Sequence, residues 1–372
     1  MNDSPNPLTV RIAEAIWRSP RRAIPFRDYM NLALYEPEWG YYMRSRPKIG
    51  RDGDFYTSAN IGGVMGEMIA REALKLSASG EPLRIAEWGG GTGAMALSVL
   101  EAIARLSPGK LGGTTYTLVE SSPYHRRLQR QTLQPYAPMV RIWTPEQWRE
   151  EAPHRFELVF ANELLDAFPV HRVVRRGGVW LESYVALAEG APGSGDFAER
   201  WLEPTAAAAE ALETWSANDV PEGKIVELCP DACGWIAMMG RTLSDGTLLL
   251  LDYGDERREL LADHRMQGTL AVYSRHRRLD DWWNAPGERD LTAHVDFTAV
   301  RGAAEAAGFA VEQYATQKEF LLQAGVFDLL RNTASADPFH PDTRRNRAVR
   351  QLLLSDGMSE LFKVLRLRRR AD

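Results

Sequence analysis

A short apolar strand that runs into a glycine-rich turn and then a helix constrains this chain more than any other feature. Residues 85–93 read Ile-Ala-Glu-Trp-Gly-Gly-Gly-Thr-Gly, between a strand expected over Leu83 to Glu87 and a helix from about Ala94 to Leu106. Glycines at 89, 91 and 93 allow backbone conformations and close approaches that a Cβ would forbid. The helix start beyond them offers unsatisfied N–H groups and the positive end of its dipole to an anionic group. The alternation continues with a strand at Thr114 to Glu120, a helix at Pro123 to Leu133, and apolar runs at Met139 to Trp143 and Leu158 to Ala161. Strands and helices alternating in this way predict a parallel sheet wound by right-handed crossovers. A helix from Pro230, a strand over Thr247 to Leu251 and a final strand over Leu361 to Leu367 extend the same pattern.

The rest of the chain is organised around that core. Residues 1–80 read as an N-terminal helical cap, with an apolar stripe of Leu8, Ile12 and Ile16 at helical spacing. Residues 81–169 form the first part of the core and 225–372 the second. Between them, 170–224 reads as an inserted smaller substrate domain, in which Arg175-Arg-Gly-Gly178 turns a hairpin and an alanine-rich helix ends at Trp215. The balance of 45 basic and 50 acidic residues gives no general drive toward nucleic acid or an anionic membrane surface. No apolar run approaches the roughly 20 residues that span a bilayer. Two cysteines exclude a disulfide-built fold, and no Cys/His set completes a zinc site around Cys229 and Cys233. Composition leads us to expect a cytoplasmic protein, and a homodimer is the expected assembly.

Three sets of side chains carry the chemistry. Gly89, Gly91 and Ala94 match the dinucleotide pattern G-x-G-x-x-G/A, which is weak by itself. Glu87, two residues before the first glycine, fits S-adenosylmethionine better, because that ligand brings an ammonium to a carboxylate and a carboxylate to the backbone donors. Glu120 ends the second strand, where an acid accepts both hydroxyls of a ribose. Asn162, Glu163 and Asp166 crowd the carboxyl end of the fourth strand, where they orient an acceptor or take its proton. Capping of a helix after that strand is the competing explanation for them. His125 reads as solvated.

The run 26–42, then Gly53-Asp-Phe-Tyr-Thr-Ser58, Met65-Gly-Glu67, Asn162-Glu-Leu-Leu-Asp-Ala-Phe-Pro169, Leu251-Asp-Tyr-Gly254 and Asp290-Leu-Thr-Ala-His-Val-Asp-Phe297 resemble, in order, the MidA family of class I methyltransferases. That family includes a mitochondrial complex I assembly factor that methylates a protein arginine. The resemblance implies a Rossmann-like, mostly parallel α/β sheet and S-adenosyl-L-methionine as cofactor. It also implies that Asp54, Thr57, Ser58 and Glu67 close over the cofactor. Glu163 and Asp166 are our first choice as acceptor contacts, with His294 and Asp296 second. Three positions depart from the family pattern: Asn60 and His294 replace acids, and Gly90 replaces a proline. A guanidinium takes planar carboxylate partners, so the lost acids bear on the acceptor rather than on the cofactor. The expectation is a methyltransferase acting on a protein arginine. A small-molecule methyltransferase and a non-catalytic assembly chaperone that keeps the fold are the alternatives.

Overall fold

The computed structural model describes residues 6–45, 63–188, 196–215, 220–274, 277–279, 281–333, 337, 339–354 and 358–371. These divide into two compact units, one drawn from Met1–Phe55, Leu165–Trp235 and Gly254–Val300, the other from Tyr56–Leu164, Ile236–Tyr253 and Arg301–Asp372.

The second unit holds the expected core. Its strands are β1 (Leu83–Trp88), β2 (Thr114–Val119), β3 (Val140–Trp143), β4 (His154–Asn162), β5 (Leu243–Asp255), β6 (Ala310–Thr316) and β7 (Phe362–Arg369). Their spatial order is β6-β7-β5-β4-β1-β2-β3. Only β7 runs antiparallel to its neighbours β5 and β6; the pairings of β5 with β4, β4 with β1, β1 with β2 and β2 with β3 are parallel. The chain therefore winds outward from β1 in one direction and from β4 in the other, which leaves a crevice at the carboxyl ends of that pair. Helices α1 (Val64–Leu76), α2 (Ala94–Leu106) and α3 (Pro123–Thr132) belong to the same unit. Met65, Met68, Ile69, Val99, Leu100 and Ile103 of α1 and α2 close one apolar core with Leu83, Ile85, Tyr116, Leu158 and Phe160 of the sheet. Gly66 makes that packing possible, since a Cβ there would stand 2.5 Å from the Ser98 Cβ.

The first unit is built on an antiparallel sheet. Val179–Leu187 pairs with His171–Arg176, Ala23–Pro25 and Phe197–Leu202, and Ile225–Leu228 extends it beyond His171–Arg176. The expected stripe of Leu8, Ile12 and Ile16 is fully buried on the helix Pro7–Arg18, whose N-cap Asn6 accepts from the Leu8 N–H. Two boundaries differ from the sequence reading. The stretch 1–80 is shared, with its first two helices in the first unit and α1 in the second, because α1 finds its apolar partners on α2. The unit containing 170–224 also takes in residues of 254–300: Val272, Trp282 and Leu291 join Phe26, Tyr29 and Val185 in a second apolar core.

Candidate active site

Residue by residue, the second unit gathers the glycine turn, Glu87, Glu120, Asn162 and Glu163 at the ends of adjacent strands. After β1 the backbone takes left-handed φ values at Gly89, Gly91 and Gly93, of 70°, 50° and 83°. A Cβ at Gly89 would come 2.9 Å from the Leu164 Cδ1, and one at Gly90 would come 2.5 Å from the Leu118 Cδ2 and 3.2 Å from the Glu87 Cδ. The turn thus lies close to the segment after β4 on one side and close to Glu87 beneath. Glycine at 90, in place of the family's proline, suits that crowding.

Glu87 is buried, and its Oε2 accepts from the Tyr116 hydroxyl at 2.6 Å. Burial pushes its carboxyl up to about 7, with the Tyr116 hydrogen bond opposing and the Glu120 charge adding. The Glu120 carboxylate accepts from the Ser122 N–H at 2.8 Å through Oε1 and from the Gly91 N–H at 3.2 Å through Oε2. His125, expected to be solvated, is buried instead with its Nδ1 3.7 Å from the Glu120 Oε2. Its position on α3, two residues after the Pro123 helix start, turns it toward the strand end rather than outward.

Asn162 closes β4 and donates through Nδ2 to the Glu163 Oε1 at 3.1 Å. Glu163 itself sits at φ 52°, a left-handed conformation uncommon for a residue with a long side chain. Two bonds hold the chain there: the Glu163 N–H donates to the Leu251 carbonyl at 2.9 Å, and the Leu164 N–H donates to the Asp252 Oδ2 at 3.1 Å. No helix follows β4, so capping does not account for Asn162 and Glu163; the chain from 163 to 170 is irregular.

The remaining expected residues have these contacts. Glu67 lies on α1 with its carboxylate held by Arg71, Arg105 and Arg345. Arg105 is in the last turn of α2 and Arg345 lies far along the chain, so the contacts of Glu67 tie α1 to α2 and to a distant segment. Asp166, in the first unit, is buried, and its carbonyl accepts from the Ala293 N–H at 2.9 Å. Asp296 caps the helix Phe297–Ala306 through the Ala299 N–H at 3.0 Å, while its Oδ2 accepts from the Trp215 Nε1 at 2.6 Å and the Arg257 Nε at 3.0 Å. The Nδ1 of His294 lies 2.9 Å from the Arg265 Nη1, so that ring nitrogen faces a permanent donor and accepts from it. Both side chains are thereby tied into the first unit's own framework. Asp54, Thr57, Ser58 and Asn60 lie outside the described residues.

The turn fits an anionic ligand on an observation of its own. Among the described residues, the N–H groups of Thr92, Ala94, Met95 and Ala96 have no hydrogen-bond acceptor. Those of Ala94, Met95 and Ala96 form the open first turn of a 13-residue helix and that of Thr92 stands just before its N-cap Gly93, a site suited to a carboxylate or a phosphate. Glu120 beside it can accept from a diol, and buried Glu87 can face a cation. An amino-acid nucleoside offers these three groups together.

Sheet order, the single reversed strand and this set of side chains define a class I methyltransferase. The chain belongs to the MidA-type family of S-adenosyl-L-methionine-dependent methyltransferases, whose profile matches residues 64–315. Its cofactor is S-adenosyl-L-methionine. A protein from Burkholderia thailandensis, crystallised with S-adenosyl-homocysteine, is 33% identical, with a TM-score of 0.82 over 99% of this chain and 95% of that one. The Danio rerio protein arginine methyltransferase NDUFAF7, mitochondrial, is 28% identical over 82% of this chain and 73% of its own length. The human protein of the same name is 28% identical over 81% and 70%. These relatives overturn the cytoplasmic expectation: they are mitochondrial proteins, and composition carries no address. Among the described residues, no helix is long and apolar enough to cross a membrane.

Proposed function

We propose that the enzyme methylates a protein arginine, with Glu163 as the group that meets the acceptor. The curated relatives' activity supports the acceptor, and the conformation of Glu163 supports its role. A strained backbone held by Leu251 and Asp252 at the crevice end of β4 is where a side chain must be aimed rather than merely accommodated.

The roles follow from the contacts. The open N–H groups at the start of α2 take the carboxylate of the cofactor, and Glu87 faces its ammonium. Each Glu120 oxygen already accepts one backbone N–H, and a carboxylate oxygen has two lone pairs, so one position on each remains for a ribose hydroxyl. The cofactor supplies a methyl group on a sulfonium, open to in-line displacement by a nitrogen. Glu163 binds the guanidinium by charge-assisted hydrogen bonds and accepts the proton that the nitrogen loses as its bond to carbon forms. The acceptor protein is the partner.

The test is incubation of the purified enzyme with methyl-labelled cofactor and host lysate, followed by size fractionation and hydrolysis of the protein fraction. Label recovered as methylarginine supports the reading. Label confined to small molecules, or to another amino acid, contradicts it, and no transfer at all would favour the chaperone.

A further inference from the structure

We infer that Gln129 is a positioning residue for cofactor binding: it turns the Gly91–Thr92 peptide so that the Thr92 N–H is presented to the cofactor's carboxylate. Gln129 lies on α3 and is completely buried. Its Nε2 donates to the Gly91 carbonyl at 3.0 Å. A trans peptide is planar, with its N–H antiparallel to its carbonyl. Holding the Gly91 carbonyl toward α3 therefore aims the Thr92 N–H away from α3, and that N–H has no acceptor among the described residues.

The other end of the same side chain is informative. The Gln129 Oε1 is buried and has no hydrogen-bond partner among the described residues. An orphan buried acceptor is destabilising, and such groups in folded proteins call for an explanation. Turning the amide over would bring oxygen against the Gly91 oxygen and lose the one bond it makes. The side chain thus keeps its donor on Gly91 and leaves its acceptor unmet. Glu120 holds the opposite side of the residue through the Gly91 N–H, so both polar groups of Gly91 are held by side chains. Gly93 completes the contact: a Cβ there would stand 3.4 Å from the Gln129 Cα and Cγ.

The inference rests on the assignment of the cofactor carboxylate to the start of α2, and the experiment separates the two. Calorimetry compares S-adenosylhomocysteine with 5′-methylthioadenosine, which keeps the nucleoside and lacks the amino-acid end, on wild type and on Gln129→Met. The wild type should prefer S-adenosylhomocysteine. Gln129→Met should weaken that ligand by about tenfold, the scale of one hydrogen bond, while leaving 5′-methylthioadenosine within about twofold. In turnover the same variant should raise KM for the cofactor and spare kcat. Gln129→Leu, which likewise offers no donor, should behave alike and serves if the methionine variant has no cooperative melting transition. Equal loss for both ligands marks a merely structural residue, and no loss for either marks an idle one; each overturns the inference. A wild type without preference between the ligands would instead overturn the carboxylate assignment.

Discussion

At the scale of single residues, the groups legible in the sequence are those whose meaning is local. Glu87, Gly89, Gly91, Gly93 and Glu120 could be picked out because a strand end, a turn and a helix start dictate what stands there. Gln129 could not, since its bond reaches Gly91 across 38 residues, and a buried glutamine on a helix carries no mark of what it will face. The left-handed Glu163 is hidden for a similar reason: Leu251 and Asp252, which hold it, belong to a strand 88 residues on. Glu87 carries a prediction of its own. Its carboxyl stands at about 7 in the fold against 4.5 ordinarily. Between those values the folded protein binds more protons than the unfolded chain, so this contribution to stability is full below 4.5 and is lost as pH rises through about 7. The whole span is on the order of 3 kcal/mol. Glu87→Gln should flatten the curve of denaturation midpoint against pH across that window. An ammonium placed beside Glu87 favours its ionised form, so S-adenosylhomocysteine should release a proton on binding near neutral pH. Its calorimetric heat should then depend on the buffer's ionisation enthalpy in wild type and not in the variant; buffer-independent heats in wild type would refute the ammonium assignment.

At the scale of elements, the alternation of strands and helices around β1 to β5 was readable because each buries a continuous apolar run. After β4, where Asn162 to Asp166 reads equally as site residues or as a helix start, no helix forms. Pro169 disfavours helical backbone at Phe168, Glu163 leaves the right-handed region altogether, and the segment forms turns instead. The close pairing of α1 with α2 was equally illegible, since Gly66 and Ser98 lie 32 positions apart and neither is apolar. That contact is testable. Gly66→Ala would set a Cβ 2.5 Å from the Ser98 Cβ and should cost about 1–3 kcal/mol of stability as overpacking. Combining it with Ser98→Gly should recover part of the loss, as a favourable coupling in a double-mutant cycle by denaturant unfolding. Strict additivity would mean that the helices do not meet there.

At the scale of the molecule, a mostly parallel sheet and the cofactor class were within reach of the sequence, whereas the strand order and the division into two units were not. Residues 1–55, 165–235 and 254–300 join through contacts distant in the chain, such as Tyr29 with the Trp282 and Trp283 carbonyls and Tyr42 with Asp290. The same interleaving brings His294 and Asp296 onto Arg265, Trp215 and Arg257, contacts that no sequence spacing announces. The central claim is that one unit holds the cofactor through the glycine turn and Glu120 while Glu163 serves the acceptor. Glu163→Gln tests it most directly, with transfer rate, S-adenosylhomocysteine affinity and melting temperature measured on one preparation. A charge-assisted bond is worth about 1.5–3 kcal/mol, so transfer should fall by roughly tenfold or more with cofactor affinity and melting temperature nearly unchanged. A full transfer rate in Glu163→Gln would contradict the account.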